Sequence, residues 1–69
     1  MMENVILNVQ GMSCGHCVKA VESSVNELNG IESVNVNLEE AKVTVAFDHA
    51  QVSVAQIKET IEDQGYEVE

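Results

Sequence analysis

The sequence predicts an α+β sandwich, in which two helices pack on one face of a single antiparallel sheet. Several short runs alternate apolar with polar residues, which is typical of half-buried strands. Two other segments repeat apolar residues at three- and four-residue intervals, as amphipathic helices do. The apolar residues are mostly aliphatic and rich in valine, with one Phe, one Tyr and no Trp, and this composition favours a sheet.

The first strand and the first helix flank a short loop that carries both cysteines. Alternation from Val5 to Val9 predicts the strand, with Val5, Leu7 and Val9 on its apolar face. The helix is predicted from about His16 to Leu28. Its apolar stripe consists of Val18, Val21, Val25 and Leu28. It should stop at Asn29-Gly30, where glycine supplies a left-handed conformation.

A hairpin follows the first helix. Val34, Val36 and Leu38 alternate with polar residues, and so do Val43, Val45 and Phe47. The connection between these two strands is the short segment Glu39-Glu40-Ala41.

A second helix and a last strand complete the chain. Ser53 is a good N-cap for a helix that ends at Gly65, and Tyr66 and Val68 begin a short final strand. The order strand, helix, strand, strand, helix, strand contains two βαβ-like halves with right-handed crossovers. We therefore expect the ferredoxin-like βαββαβ fold, as a single domain over residues 1–69.

The net charge of the chain argues against some classes of binding partner. Twelve acidic residues against three lysines give a formal net charge of −9, which opposes binding to nucleic acid or to an anionic membrane surface. A protein with a basic docking face would be attracted instead. The apolar run Val5–Val9 is too short for a signal sequence or a membrane span, so we expect a cytoplasmic protein without direct membrane insertion. A structural disulfide is improbable in that reducing compartment.

The loop segment Gly11–Cys17 (GMSCGHC) carries the chemistry. Two thiols three positions apart at the start of a helix can turn toward one point, and the helix dipole favours their thiolate forms. One interpretation is a thiol–disulfide oxidoreductase, because Cys14-Gly15-His16-Cys17 also occurs in disulfide isomerases. Against it, Ser13 stands where thioredoxin-like proteins usually carry an aromatic residue, the chain is shorter than theirs, and it contains no proline.

The other interpretation is a soft metal ion held by Cys14 and Cys17. A closed structural zinc site needs four ligands. His16 lies inside the loop, and His49 lacks zinc-finger spacing, so neither completes such a set. Cu(I) prefers thiolate sulfur and tolerates two ligands, which leaves it open to a third sulfur from outside.

The motif Gly-Met-Ser-Cys-x-x-Cys, together with Gly65-Tyr66, resembles the heavy-metal-associated domain family, and in particular its bacterial copper chaperones. The resemblance spans the whole chain. It implies a protein without enzymatic activity whose Cys14 and Cys17 bind Cu(I). It also implies transfer of the ion to the N-terminal metal-binding domains of a copper-transporting P-type ATPase, with a copper-responsive repressor as a second candidate partner. Ser13 replaces the commoner Thr, and Ala41 stands where the family often has Gly.

Several roles stay open. Hg(II), Zn(II) or Cd(II) is an alternative cargo, although zinc-preferring relatives often carry a carboxylate where Ser13 stands. We expect Met12 to be a buried peg rather than a thioether ligand. His16 is a solvent-facing spacer or a group that tunes the thiolates, and a copper-bridged homodimer could form beside it. Tyr66 caps the core, or its ring shields the metal or its hydroxyl donates to a thiolate. Lys19 is either a solvated surface residue or a cation that offsets the charge of the copper–dithiolate unit.

Overall fold

Strands and helices follow one another in the predicted order. The computed structural model describes residues 2–12 and 15–69. Its elements are β1 (Met2–Gln10), α1 (Gly15–Asn26), β2 (Ile31–Asn37), β3 (Lys42–Asp48), α2 (Val54–Asp63) and β4 (Glu67–Val68). Neither helix among these described residues has the length and apolar character needed to cross a membrane.

The four described strands form one sheet in the order β2-β3-β1-β4. Each neighbouring pair is antiparallel, with Val5 opposite Val45 at the centre and Val9 opposite Val68 at the β4 edge. β1 and β3 are the inner strands, so the loop that leaves β1 starts from the middle of the sheet. The predicted antiparallel βαββαβ arrangement is confirmed.

The core lies between one face of the sheet and both helices. Alternate residues of β1 and β3 point inward, and each helix contributes two fully buried residues one turn apart. The fully buried side chains are Val9, Val21, Val25, Val43, Val45, Ile57 and Ile61. No polar side chain among the described residues is fully buried, so aliphatic burial supplies the main stabilising contribution to the fold.

α1 differs from its prediction at its end and along its apolar stripe. It ends at Asn26 rather than Leu28, because the chain tightens there and the Leu28 N–H donates to the Val25 carbonyl at 3.0 Å. The predicted left-handed glycine, Gly30, has φ +92° but lies in the turn beyond the helix. Cys17 packs against the core, whereas Val18, predicted in the stripe, is half-buried outside that cluster.

The hairpin between β2 and β3 is confirmed, but Leu38 does not extend the inner face of β2. It is 40% exposed in the turn. The chain reverses directly after Asn37, whose side-chain oxygen accepts from the Glu40 N–H at 3.2 Å. Because this bond starts the turn, Leu38 leaves the strand alternation that predicted it inside.

Local chemistry sets both ends of α2. The Ser53 hydroxyl accepts from the Gln56 N–H at 3.2 Å, and the Gln56 side chain accepts from the Ser53 N–H at 3.0 Å. This reciprocal pair is a capping box, which confirms the predicted N-cap. At the other end Gly65 has φ +97°, a left-handed conformation that glycine adopts without a steric penalty.

Candidate metal-binding site

The cysteine loop joins the inner strand β1 to the start of α1. Gln10 ends the strand and Gly15 begins the helix. Gly11 turns the chain out of the sheet with φ +97°. Ser13 and Cys14 lie outside the described residues, so the role of Cys14 stays a prediction.

Met12 fixes the first half of this loop. Its side chain is 8% exposed and belongs to the core cluster, which confirms that it is buried as predicted. Met12 is therefore packed among aliphatic groups just before the cysteines, where its flexible thioether chain can fill an irregular gap.

Cys17 fixes the second half. It lies in the first turn of α1, half-buried, and packs against the core one helical turn before Val21. The first N–H groups of a helix have no intrahelical acceptor, and the positive end of the helix dipole favours negative charge there. The backbone N–H groups and the helix dipole thus favour negative charge at Cys17, while the packing holds its side chain in place.

The outer side of this first turn faces solvent. Gly15, His16 and Lys19 line a shallow hollow of about 260 Å³, and all three are exposed. His16 and Lys19 are three residues apart, so they lie on the same side of the helix. The predicted solvent exposure of His16 is confirmed, and Lys19 is a cation on the helical turn that carries Cys17.

Tyr66 brings the C-terminal part of the chain to the loop. It follows Gly65 at the end of α2, is half-buried and packs against the core. A Cβ atom built on Gly11 would lie 3.4 Å from the Tyr66 ring carbon Cδ1. The two motif segments of the sequence, Gly11–Cys17 and Gly65-Tyr66, therefore meet in space through Gly11 and the aromatic ring.

His49 belongs to another region. Its Nδ1 lies 3.2 Å from Oε2 of Glu3, near the beginning of β1. The strand between Glu3 and Gln10 spans about 23 Å at the usual rise of about 3.3 Å per residue. Within residues 2–12 and 15–69, no group of three His, Cys, Asp or Glu side chains is arranged to hold a metal ion.

Two contacts of the site were not predicted. Cys17 shares the apolar face of α1, and the spacing Cys17, Val21, Val25 contains the signal, since residues four apart lie on one helix face. The contact between Tyr66 and Gly11 joins positions far apart in the chain. No local pattern reports such a contact, because it depends on how β4 pairs with β1.

Comparisons with known proteins bear on this loop. The family model of the heavy-metal-associated domain matches residues 6–67. The copper chaperone CopZ of Staphylococcus aureus is 55% identical over 67 residues, covering 97% of this chain and 98% of that protein. The solved structure of a CopZ metallochaperone superposes with a TM-score of 0.96 and 54% identity, over 97% of this chain and 100% of that one.

A domain of a larger protein is also similar. It is the N-terminal domain of a potential copper-translocating P-type ATPase from Bacillus subtilis, solved in the Cu(I)-loaded state. It superposes with a TM-score of 0.95 and 29% identity, over 100% of this chain and 86% of that one.

Proposed function

The chain belongs to the heavy-metal-associated domain family, as its loop motif predicts, and on this premise we propose that it carries Cu(I) between proteins. Cys14 and Cys17 bind the ion, and a copper-transporting P-type ATPase receives it. The observation that carries this proposal is the position of Cys17, anchored on the core in the first turn of α1 beside the exposed Gly15 and His16.

The protein is not an enzyme. Its similar relatives are named copper chaperones, a family of metal carriers without catalytic activity, in agreement with the prediction from sequence. In the proposed role Cu(I) is a cargo rather than a cofactor, and the residues around the loop bind and release it.

The chemistry of the loop suits a soft, low-coordinate ion. Thiolate sulfur is the ligand that Cu(I) prefers, and two sulfurs satisfy it. The helix N-terminus favours the negative charge of a thiolate at Cys17. Met12 and Cys17 both pack on the core, so the two ends of the loop are held by burial rather than by the metal. A loop supported in this way can release its cargo without unfolding.

Transfer proceeds by exchange of sulfur ligands. A cysteine thiolate of the partner binds the ion first, giving a three-coordinate intermediate, and Cys14 and Cys17 then leave in turn. The copper stays Cu(I) throughout, and each thiol that is freed takes up a proton. The similarity to an ATPase N-terminal domain supports a partner with a domain of the same fold.

Charge and compartment follow from the same proposal. The net charge of −9 attracts a partner with a basic docking face, and the attraction weakens as salt screens it. Exchange requires reduced thiols, which the cytoplasm maintains. Because bound cysteines must be deprotonated, the affinity for Cu(I) falls as the pH falls.

The test uses variants of the two cysteines. Cys14→Ser, Cys17→Ser and the double variant are titrated anaerobically with Cu(I) against a competing chelator. Each should retain copper more weakly by orders of magnitude, because alcohol oxygen is a poor ligand for a soft ion. Ser13→Thr, which keeps both thiols, is the matched control and should bind as the wild type does.

X-ray absorption spectroscopy of the copper-loaded wild type identifies the ligand atoms directly. We expect sulfur in the first coordination shell of the copper ion. Retention of copper by the double variant, or a shell of nitrogen and oxygen, would contradict the proposal. Catalytic reduction of insulin disulfides would favour the oxidoreductase alternative. Preferential retention of Hg(II) or Zn(II) in competition with Cu(I) would reassign the cargo.

A further inference from the structure

We propose that Asn29 is a site of spontaneous chemical modification, where deamidation produces aspartate and isoaspartate in the turn between α1 and β2. Asn29 and Gly30 occupy this turn, and the Asn29 side chain is exposed to solvent. The modified site lies at the end of α1 that is remote from the cysteine loop. It is independent of the metal and of any partner.

The reaction needs only the chain and water. The backbone nitrogen of Gly30 attacks Cγ of Asn29 and forms a C–N bond, and the side-chain amide leaves as ammonia with the proton that the nitrogen loses. The product is a five-membered succinimide. Water then breaks one of its two C–N bonds. Cleavage at Cγ gives aspartate, and cleavage at the backbone carbonyl gives isoaspartate. No atom changes its oxidation state.

The turn leaves the attacking group accessible. Gly30 has no side chain to crowd its own nitrogen. The described hydrogen bonds of the turn use other groups: the Gly30 carbonyl accepts from the Asp48 N–H at 2.8 Å, and the Leu28 N–H donates to the Val25 carbonyl. None of the described bonds uses the Gly30 N–H. The nitrogen can therefore lose its proton without breaking a bond that holds the turn.

The fold itself requires glycine after Asn29. Gly30 has φ +92°, a conformation that L side chains rarely adopt. A Cβ atom at this position would lie 2.7 Å from Cβ of Gln51 and 3.4 Å from the carbonyl oxygen of Asp48. The reactive dipeptide is thus a consequence of the close packing between this turn and the segment that follows β3.

The other asparagines are protected by their neighbours. All of them lie in strands or at the end of α1, and each precedes a bulky residue that crowds the attacking nitrogen. They are Asn4, Asn8, Asn26, Asn35 and Asn37. Gln10 and Gln64 also precede glycine, but their longer side chains must close a six-membered ring, which forms more slowly.

Isoaspartate changes the structure at this place. It inserts a methylene group into the main chain directly before Gly30, whose carbonyl binds Asp48, and near Ile31, which pairs with Phe47. α1 has 12 residues and, at the helical rise of about 1.5 Å, puts the cysteine loop about 18 Å away. We therefore expect the modified chain to unfold more easily while its thiol loop keeps its chemistry.

The experiment follows the mass of the apo wild-type chain during incubation in mildly alkaline and mildly acidic buffers. Tandem mass spectrometry after proteolysis should assign to Asn29 the mass increase that results when NH₂ is replaced by OH. The reaction should be roughly tenfold faster there than at Asn4 or Asn8, each of which is followed by a β-branched valine. It should accelerate in alkali, because the nitrogen must be deprotonated. Labelling by an isoaspartyl methyltransferase reports the isoaspartate product.

Asn29→Gln is the matched control, since it keeps the amide and lengthens the ring. It should remain unmodified and unlabelled. A parallel incubation in urea measures the reaction of the unfolded chain. If Asn29 reacts in urea but stays intact in the native protein, the fold protects it and the proposal is wrong. Equal reaction at Asn29 and the strand asparagines would also overturn it. Thermal unfolding of the separated isoaspartate form should show a lower midpoint than the wild type.

Discussion

Met12 and Cys17 show how single residues support a loop that must stay open at the surface. Each packs on the core from one side of the cysteine segment, Met12 buried and Cys17 half-buried. The loop therefore begins and ends on fixed points. The proposed function would depend on this support, because exchange of a metal ion needs accessible sulfur on a backbone that does not collapse when the ion leaves.

Substitution of Met12 separates packing from ligation. Met12→Ala should lower the free energy of unfolding by about 2–4 kcal/mol, because it leaves a cavity in the core. Met12→Leu conserves volume and should cost less than about 1.5 kcal/mol. If Met12 only packs on the core, Met12→Leu should retain Cu(I) as well as the wild type does in competition with a chelator. Weakening comparable to that of Cys17→Ser would instead make Met12 a ligand.

Asp48 should make the stability of the fold depend on pH in the acidic range. The Ala50 N–H and then the Gln51 side-chain amide donate to its carboxylate and hold its pKa below the ordinary value of 3.8. A carboxyl group whose pKa is lower in the folded than in the unfolded chain stabilises the fold at any pH above its unfolded-state pKa. This contribution disappears as the pH falls through its folded-state pKa.

Asp48→Asn tests that dependence. At neutral pH the variant should have a lower free energy of unfolding than the wild type, as measured by urea titration. The difference should shrink in acid, where the wild-type carboxyl group is protonated and has lost its charge. Glu39→Gln, an exposed carboxylate in the hairpin turn, is the control and should show a smaller change. A deficit for Asp48→Asn that stays constant down to strongly acidic pH would contradict the assignment.

The hairpin turn between β2 and β3 contains a strained backbone position. Ala41 has φ +56°, the left-handed region, and it is the described non-glycine residue with a positive φ. Its N–H donates to the Leu38 carbonyl, and its own carbonyl accepts from the Val9 N–H at 2.8 Å. The turn is therefore held against β1 even though alanine disfavours this conformation.

Ala41→Gly should relieve that strain. We expect the free energy of unfolding to rise by about 0.5 kcal/mol, since the left-handed penalty of alanine exceeds the entropy that glycine adds to the unfolded chain. Ala46→Gly, in the extended backbone of β3, is the matched control and should destabilise. Chemical denaturation of both variants decides the question, and a loss of stability in Ala41→Gly would refute the strain argument.

At the scale of the whole molecule, charge opposes compactness. The formal net charge of −9 lies on a chain of 69 residues whose core is aliphatic and whose carboxylates are at the surface. Repulsion among like charges destabilises a compact state and weakens when salt screens it. Under the proposed function, the same charge would attract a partner protein with a basic docking face while it lowers the stability of the fold.

Salt should therefore stabilise the apo protein. We expect the thermal midpoint to rise as sodium chloride is added, because screening reduces repulsion among the carboxylates. Potassium chloride is the control, and an equal rise with both salts identifies ionic strength rather than a bound cation as the cause. A midpoint that stays constant or falls with salt would show that surface repulsion does not limit this fold.

Local patterns predicted the elements well, because the physics that forms them is local. Ser53 begins α2 through a bond to a residue three positions away, and alternation predicted β1 and β3. Where a local pattern met a competing local interaction, the prediction was wrong. Leu38 continued the alternation of β2, but the bond from Glu40 to Asn37 had already started the turn.

The order of elements, the family and the candidate metal ligands were determined by the sequence alone, since periodicity, caps and a short motif need no knowledge of distant contacts. Only the tertiary structure decided that Cys17 rests on the core, that Tyr66 meets Gly11, and that Gly30 has no room for a side chain. These facts arise from the packing of segments remote in the chain. Burial of aliphatic surface sets that packing, and it acts on the assembled sheet and helices rather than on any one segment.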